Sequence, residues 1–417
     1  VTLSFWVAER RGEVKAITIL FVASFYFRVL LIHFNSIIDF FDQKDASELP
    51  LQLITSNSAL TDVVGGGVGA IFSAKFLLQA LLSYPGVHIF EASITVLCIT
   101  NAWIGALSGL VAYAYLRRLC DERTATIGFL LASCYPGALA FSIFALRDLL
   151  AYFLIIVNLL SLIWIVQRKD ARIFNVIIFI VSFIAATTVR YVFSPIMMVP
   201  IGWMILMAVL RWFRRQPRNA RMLAYYATII LLPIIMYAAA STVIALAASK
   251  VGLAAGEATL SDLADDYATD RYDRSIGANG SELAGSGGSD ILPPSIFMKL
   301  PLPVRIGLQT IGMIVVPMPW LLIGMARMLA ALDSTFIIFC IAWAWRGRKQ
   351  PPTTALLMGF AAGTLAMGLV VANGGNAFRM RLSTTPYVMI PAAIYLGKKK
   401  RAGASSGELP QETAYAT

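Results

Sequence analysis

Histidine, cysteine and charge are all scarce in this chain. His33 and His88 are its only histidines, which argues against a histidine-based metal site. Its four cysteines, Cys98, Cys120, Cys134 and Cys340, lack the spacing of a metal site and mostly sit within apolar runs. In that setting cysteine behaves as a small core residue. Charged residues make up only 14%, where a soluble chain carries roughly 25%. No Walker lysine follows a glycine-rich loop and no dinucleotide fingerprint is present. The triplet Gly65-Gly66-Gly67 therefore reads as a hinge. An ATP-driven pump is disfavoured, and so is a nucleotide-sugar enzyme with a soluble cytoplasmic domain.

Apolar residues fill the space these absences leave. The chain is 58% hydrophobic, with a mean hydropathy of +0.74. A bilayer core of about 30 Å needs ~20 apolar residues per helix. Runs of that kind predict spans at 16–34, 88–116, 125–143, 148–167, 173–191, 193–211, 223–248, 328–345, 353–372 and 383–397. They are continuous in Leu, Ile, Ala and Val, not alternating, so they read as helices and not as barrel strands. The expected fold is an all-α polytopic membrane protein of about 10 transmembrane helices. The first run follows Arg10, Arg11 and Lys15, is long and lacks a small-residue cleavage site, so it reads as a retained span.

The net charge of +11 lies largely in short loops. Six basic clusters (Arg10–Lys15, Arg117–Arg123, Arg168–Arg172, Arg211–Arg221, Arg346–Lys349 and Lys398–Arg401) hold 21 of the 34 Lys and Arg. All six fall on one side of the membrane if both termini are cytoplasmic, as the positive-inside rule requires. No nucleic-acid partner is expected from this charge. The same parity leaves the apolar runs 69–83 and 304–325 outside as two interfacial or re-entrant helical elements, the second broken at Pro317-Met318-Pro319.

The chain accordingly divides into a membrane module at 1–250 with a first external loop at 35–87, an external segment at 251–327, C-terminal transmembrane helices at 328–401, and a disordered cytoplasmic tail at 402–417. The external segment opens with an acidic stretch (Glu257 to Asp273) whose spacing fits no calcium loop. It continues as a Gly- and Ser-rich stretch that reads as a mobile loop.

This topology gathers the unusual charges outside. Asp39, Asp42 and Asp45 follow the first span. Arg147-Asp148 sit where two spans meet with almost no loop. Arg190 ends a span. Arg379 and Arg381 lie in the segment before the last one. Ionisable residues at membrane depth are costly and more often functional than decorative. A carboxylate just above the bilayer can act as general base towards a hydroxyl acceptor, and arginines can clamp a phosphate with their planar fork. Were 379–381 extended, both guanidiniums would face one anionic group. Arg28 is the clearest charge within a span.

Several segments resemble the C-type, multi-span glycosyltransferases that use lipid-phosphate sugars. A small-residue helix, Asn101-Ala-Trp-Ile-Gly-Ala-Leu, ends in Arg117-Arg118. The next ends in Cys134-Tyr135-Pro136, and Arg147-Asp148 opens the following span. Thr188-Val-Arg190-Tyr191 looks like that family's arginine-containing span end. Phe378-Arg379-Met-Arg381-Leu, followed by Pro386 and Pro391, looks like the late Arg-x-Arg segment of its bacterial members. The acidic stretch after the first span looks like the loop that carries the family's catalytic Asp. Family members often place two acidic residues side by side or one apart, whereas Asp39 and Asp42 are three apart, so the base stays open between them. The resemblance covers most of 15–200 and 375–397, and 250–345 is unmatched.

What the resemblance implies is a glycosyltransferase of polysaccharide or cell-envelope biosynthesis in a bacterial cytoplasmic membrane. It would pass a sugar from a polyprenyl-phosphate donor to a glycan, lipid or protein acceptor on the outer face. Asp39 or Asp42 would be the base, and Arg379 and Arg381, with Arg147, Asp148 and Arg190 beside them, would bind the donor. No metal ligand is assigned, and a divalent cation is left open as cofactor. Two alternatives stand beside this: an O-antigen-type polymerase or ligase using undecaprenyl-diphosphate-linked glycans, and a non-enzymatic membrane subunit of an envelope assembly or a transporter.

Overall fold

A computed structural model describes residues 11–33, 68–90, 93–167, 172–190, 193–214, 299–315, 325–349, 351–370 and 374–404. Asp39, Asp42 and Asp45, the expected span 223–248, the acidic stretch 257–273 and residues 405–417 lie outside them. Every regular element among the described residues is a helix. In chain order they are α1 (Arg11–Ile32), α2 (Val68–Phe90), α3 (Ile94–Leu119), α4 (Glu122–Ser133), α5 (Pro136–Ser142), α6 (Asp148–Gln167), α7 (Arg172–Val189), α8 (Phe193–Arg214), α9 (Leu302–Val315), α10 (Met325–Arg346), α11 (Pro351–Val370), α12 (Gly374–Thr384) and α13 (Pro386–Ala404).

Four of these contain stretches long and apolar enough to cross a membrane: Glu13–Ile32, Ile94–Leu119, Asp148–Gln167 and Met328–Arg346. The pair α4 and α5, bent by 50° at Tyr135, makes a fifth if taken as one broken span. The exposed side chains on α1 and α7 are large and apolar, among them Tyr26, Phe27, Leu30, Ile173, Phe174 and Val181. A water-soluble fold rarely exposes contiguous apolar surface on this scale, whereas lipid solvates it. The chain is a helical, multi-pass membrane protein.

Three boundaries depart from the sequence reading. The run 88–116 is not one span: α2 ends at Phe90 and α3 starts afresh at Ile94 behind Ser93. The run 125–143 is not straight, because Pro136 has no N–H to continue the helix and α5 restarts there at a new angle. The segment before the last span is not extended: Gly374–Thr384 is helical, and α13 follows after one turn residue, Thr385.

α6 sits at the centre and packs along α7 and α3. Polar side chains lock these helices together. Asn158 Nδ2 donates to Phe179 O at 3.0 Å, and Tyr115 lies 3.0 Å from Ser161 Oγ and 3.2 Å from Asn175 Oδ1. Small residues permit close approach elsewhere: a Cβ on Gly109 of α3 would stand 2.9 Å from Ser133 Cβ of α4.

The bundle has two chemically distinct ends. At one, Arg117 pairs with Glu13 at 2.9 Å, Asp121 caps α4 by accepting from Thr124 N, and Lys398 joins Asp121 and Gln167 around a cavity of about 320 Å³. Gly347 packs against Tyr395 near the same end. The opposite end carries Asp148, Arg190 and Arg379. α2 touches the bundle beside that second end, through Gln79 to Ala145 O (3.4 Å) and through Gly86 against Val96.

Candidate anion site at the bundle end

The site begins with a bend. After α5 the chain runs irregularly through 143–147, and Asn101 of α3 holds it in place. Asn101 Nδ2 donates to Phe144 O at 2.6 Å and to Leu146 O at 2.8 Å. Both carbonyls belong to non-helical backbone, where a side-chain amide supplies the partner that a helix would. The bend delivers Arg147 and Asp148 to the start of α6, where the helix N-terminus favours a carboxylate.

Asp148 is buried, at 3% exposure, and its two oxygens go to different helices. Arg190, one residue past α7, bridges to Oδ1 through Nη2. Arg379 of α12 bridges to Oδ2 through Nε. Arg147 is the third cation acting on the same carboxylate. The structure thus brings together four residues that sequence reading had assigned to donor binding. They come from α6, α7 and α12 and the bend before α6, and they span 232 chain positions from Arg147 to Arg379. Arg190 Nη1 also reaches Met380 Sδ at 3.3 Å, tying α7 to α12.

The three arginines do not play equal parts. Arg190 is 10% exposed, whereas Arg379 is 23% exposed. Among the described residues Arg379 is held only through its Nε on Asp148. Among the described residues its two terminal nitrogens make no hydrogen bond, which leaves the fork that suits a phosphate or carboxylate.

Arg381 goes elsewhere. Two residues on from Arg379 in a helix, it points to a different face, at 1% exposure, and meets Asp333 of α10 at 3.3 Å. The shared clamp expected of an extended segment does not form. Asp333 was missed in the sequence, although it left a signal: a lone carboxylate within the apolar run from Met328 to Trp345. Its surroundings are Tyr135 and the backbone of Gly137.

Arg28, the cation seen within a span, is fully buried. It donates from Nη1 to Ser24 O at 3.1 Å and to Ser24 Oγ, and from Nη2 to Ser133 O. It lies against Gly105, where a Cβ would stand 2.6 Å from its Nε. It joins α1, α3 and α4 and is not part of the Asp148 group. Among the described residues no cluster of His, Cys, Asp and Glu could hold a metal ion. No family model, curated protein or solved structure matches the chain.

Proposed function

We propose that this protein is an inverting membrane glycosyltransferase that takes a sugar from a polyprenyl-phosphate donor and passes it to an acceptor hydroxyl on the outer face of a bacterial cytoplasmic membrane. The observation that carries the reading is Arg379: a guanidinium fixed by Asp148 through Nε, with Arg190 and Arg147 on the same carboxylate, and the most exposed of the ion-paired groups there at 23%. A phosphate on a lipid tail reaches that depth by diffusion in the bilayer, without a soluble domain to deliver it. Arg117 and Lys398, from two of the six basic clusters, lie at the opposite end; taking that end as cytoplasmic by the positive-inside rule gives about ten spans with both termini inside. The segments that resemble C-type glycosyltransferases include Arg147-Asp148, Arg190 and Arg379.

The chemistry follows from the charges. An acceptor oxygen attacks the anomeric carbon, the bond from that carbon to the phosphate oxygen breaks, and the lipid phosphate leaves with an added negative charge. Arg379, preorganised by Asp148, neutralises that charge as it develops. Asp148 itself is no base, because both its oxygens already hold guanidiniums. The acceptor proton passes to Asp39 or Asp42, the carboxylates that follow the first span.

The test is transfer of labelled sugar from a short-chain polyprenyl phosphate by the purified protein. Asp39→Asn or Asp42→Asn lowers turnover by about a hundredfold, the scale of a lost general base, with the protein still folded. Full turnover in both single variants and in the double variant would remove the acidic segment from the mechanism. Turnover of only diphosphate-linked glycans would turn the reading to a polymerase or ligase.

A further inference from the structure

The second charged layer of the bundle, Arg381 with Asp333, has a role that its burial defines. Every nitrogen of the Arg381 guanidinium is already engaged by protein acceptors. Nε donates to Met313 O at 2.6 Å. Nη1 reaches Ser334 Oγ at 2.7 Å, Asp333 Oδ2 at 3.3 Å and Ala330 O at 3.4 Å. Nη2 reaches Gly312 O at 3.4 Å. A side chain so occupied, at 1% exposure, has no donor to offer a ligand.

These bonds tie α12 to α9 and α10. They lie beside two breaks in the helices. One is Tyr135-Pro136, between α4 and α5; the other is Thr385-Pro386, between α12 and α13. The breaks meet where Thr385 Oγ1 lies 2.9 Å from the Tyr135 hydroxyl, and Tyr135 in turn faces Asp333. α12 is an 11-residue helix that meets α13 at one turn residue, Thr385, with Thr385 N donating to Arg381 O at 2.8 Å and Met389 N to Thr385 O at 3.0 Å across the junction. Arg381 sits on one of its faces, and Arg379 leaves from another towards Asp148.

We propose that Asp333 and Arg381 are positioning residues for the donor site: their ion pair anchors α12, and that anchorage sets the Arg379 guanidinium against Asp148. This rests on the reading of Arg379 as the phosphate-binding group. A 1 Å displacement of such a group costs on the order of a hundredfold in rate, so the anchor acts on catalysis without touching substrate. Tyr135 belongs to the same group: its hydroxyl lies 2.9 Å from Thr385 Oγ1, in the turn between α12 and α13, and borders Gly137 together with the Asp333 carboxylate.

Two measurements on the full-length protein in detergent test this. The first is a mutant cycle on kcat/KM for the polyprenyl-phosphate sugar. Asp333→Asn and Arg381→Gln each lower it by about a hundredfold, yet in an Arg379→Ala background each lowers it less than about threefold, because the residues act through one group. Losses that add in the double variants overturn the proposal. So does an Asp333→Asn variant with unchanged or stronger donor affinity, the result expected if Arg381 were itself a ligand for phosphate. The second reads the anchor without activity. Phe378, 1% exposed and packed on Phe141 at 5.1 Å between ring centroids, is replaced by Cys and labelled with a maleimide. Adding Asp333→Asn speeds labelling about tenfold by local opening of α12; an unchanged rate overturns the anchor. Where Asp333→Asn does not fold, Tyr135→Phe keeps the ring packing, removes only the hydroxyl and gives the same two readings. Faster labelling with no turnover of the polyprenyl-phosphate sugar by the wild type would discard the transferase reading and leave the anchor of α12 standing; full turnover in Arg379→Ala would overturn the positioning role itself.

Discussion

At the scale of single residues, the decisive distinctions are between side chains of one type. Arg379 and Arg381 look equivalent in the sequence, two basic residues in Gly374-Gly375-Asn376-Ala-Phe-Arg-Met-Arg. Helical geometry separates them by more than half a turn, so one opens at the bundle end and the other is sealed inside. Asn101 shows the reverse, a residue of no obvious promise that shapes the site. Its amide bonds Phe144 O and Leu146 O, holding the bend that presents Arg147 and Asp148. Asn101→Ala removes both hydrogen bonds to the bend, a cost of about 1–3 kcal/mol. Thermal unfolding in detergent is expected to show a lowered midpoint, with donor turnover reduced in the protein that stays folded. A variant with wild-type midpoint and turnover would mean the bend holds itself.

At the scale of elements, the apolar runs predicted most helices among the described residues to within a few positions, because lipid exposure and chain length leave little choice. The misreadings have a common cause. Gly374-Gly375-Asn376 looks like a loop by composition, and 125–143 looks like one span. Inside a bundle, though, backbone groups must be satisfied locally whatever the residues' propensities. Glycines are therefore carried in a helix at 374–375, and Pro136 redirects a helix without ending the run. Asp148 with Arg147 and Arg190 was legible as charge at span ends. Their convergence with Arg379 was not, since contact between residues 231 positions apart leaves no periodicity in the chain. Asp333 is legible as a lone carboxylate within an apolar run. Its pairing with Arg381 needed the packing of α10 against the last helices.

At the scale of the whole molecule, the bundle is polarised. Glu13, Arg117, Asp121 and Lys398 mark one end, and Asp148, Arg190 and Arg379 the other. On the topology proposed above, the first end, where the Arg117 and Lys398 basic clusters lie, is the cytoplasmic one and the Asp148 group is on the outer face. Cysteines at Gln216 and Gly280 check the assignment: in intact spheroplasts an impermeant thiol reagent should label Gly280→Cys and leave Gln216→Cys unlabelled until the membrane is opened. Equal labelling of both would place the site on no defined face. The central claim is that the Asp148 group holds a lipid phosphate through the fork of Arg379, and it is met most directly by binding alone, without acceptor or turnover. Polyprenyl phosphate titrated into the purified protein should bind the wild type, and bind Arg379→Lys about as weakly as Arg379→Ala, because lysine keeps the charge but loses the paired donors. Binding by Arg379→Lys equal to the wild type would contradict the account and leave Arg379 as a cation resting among lipid headgroups.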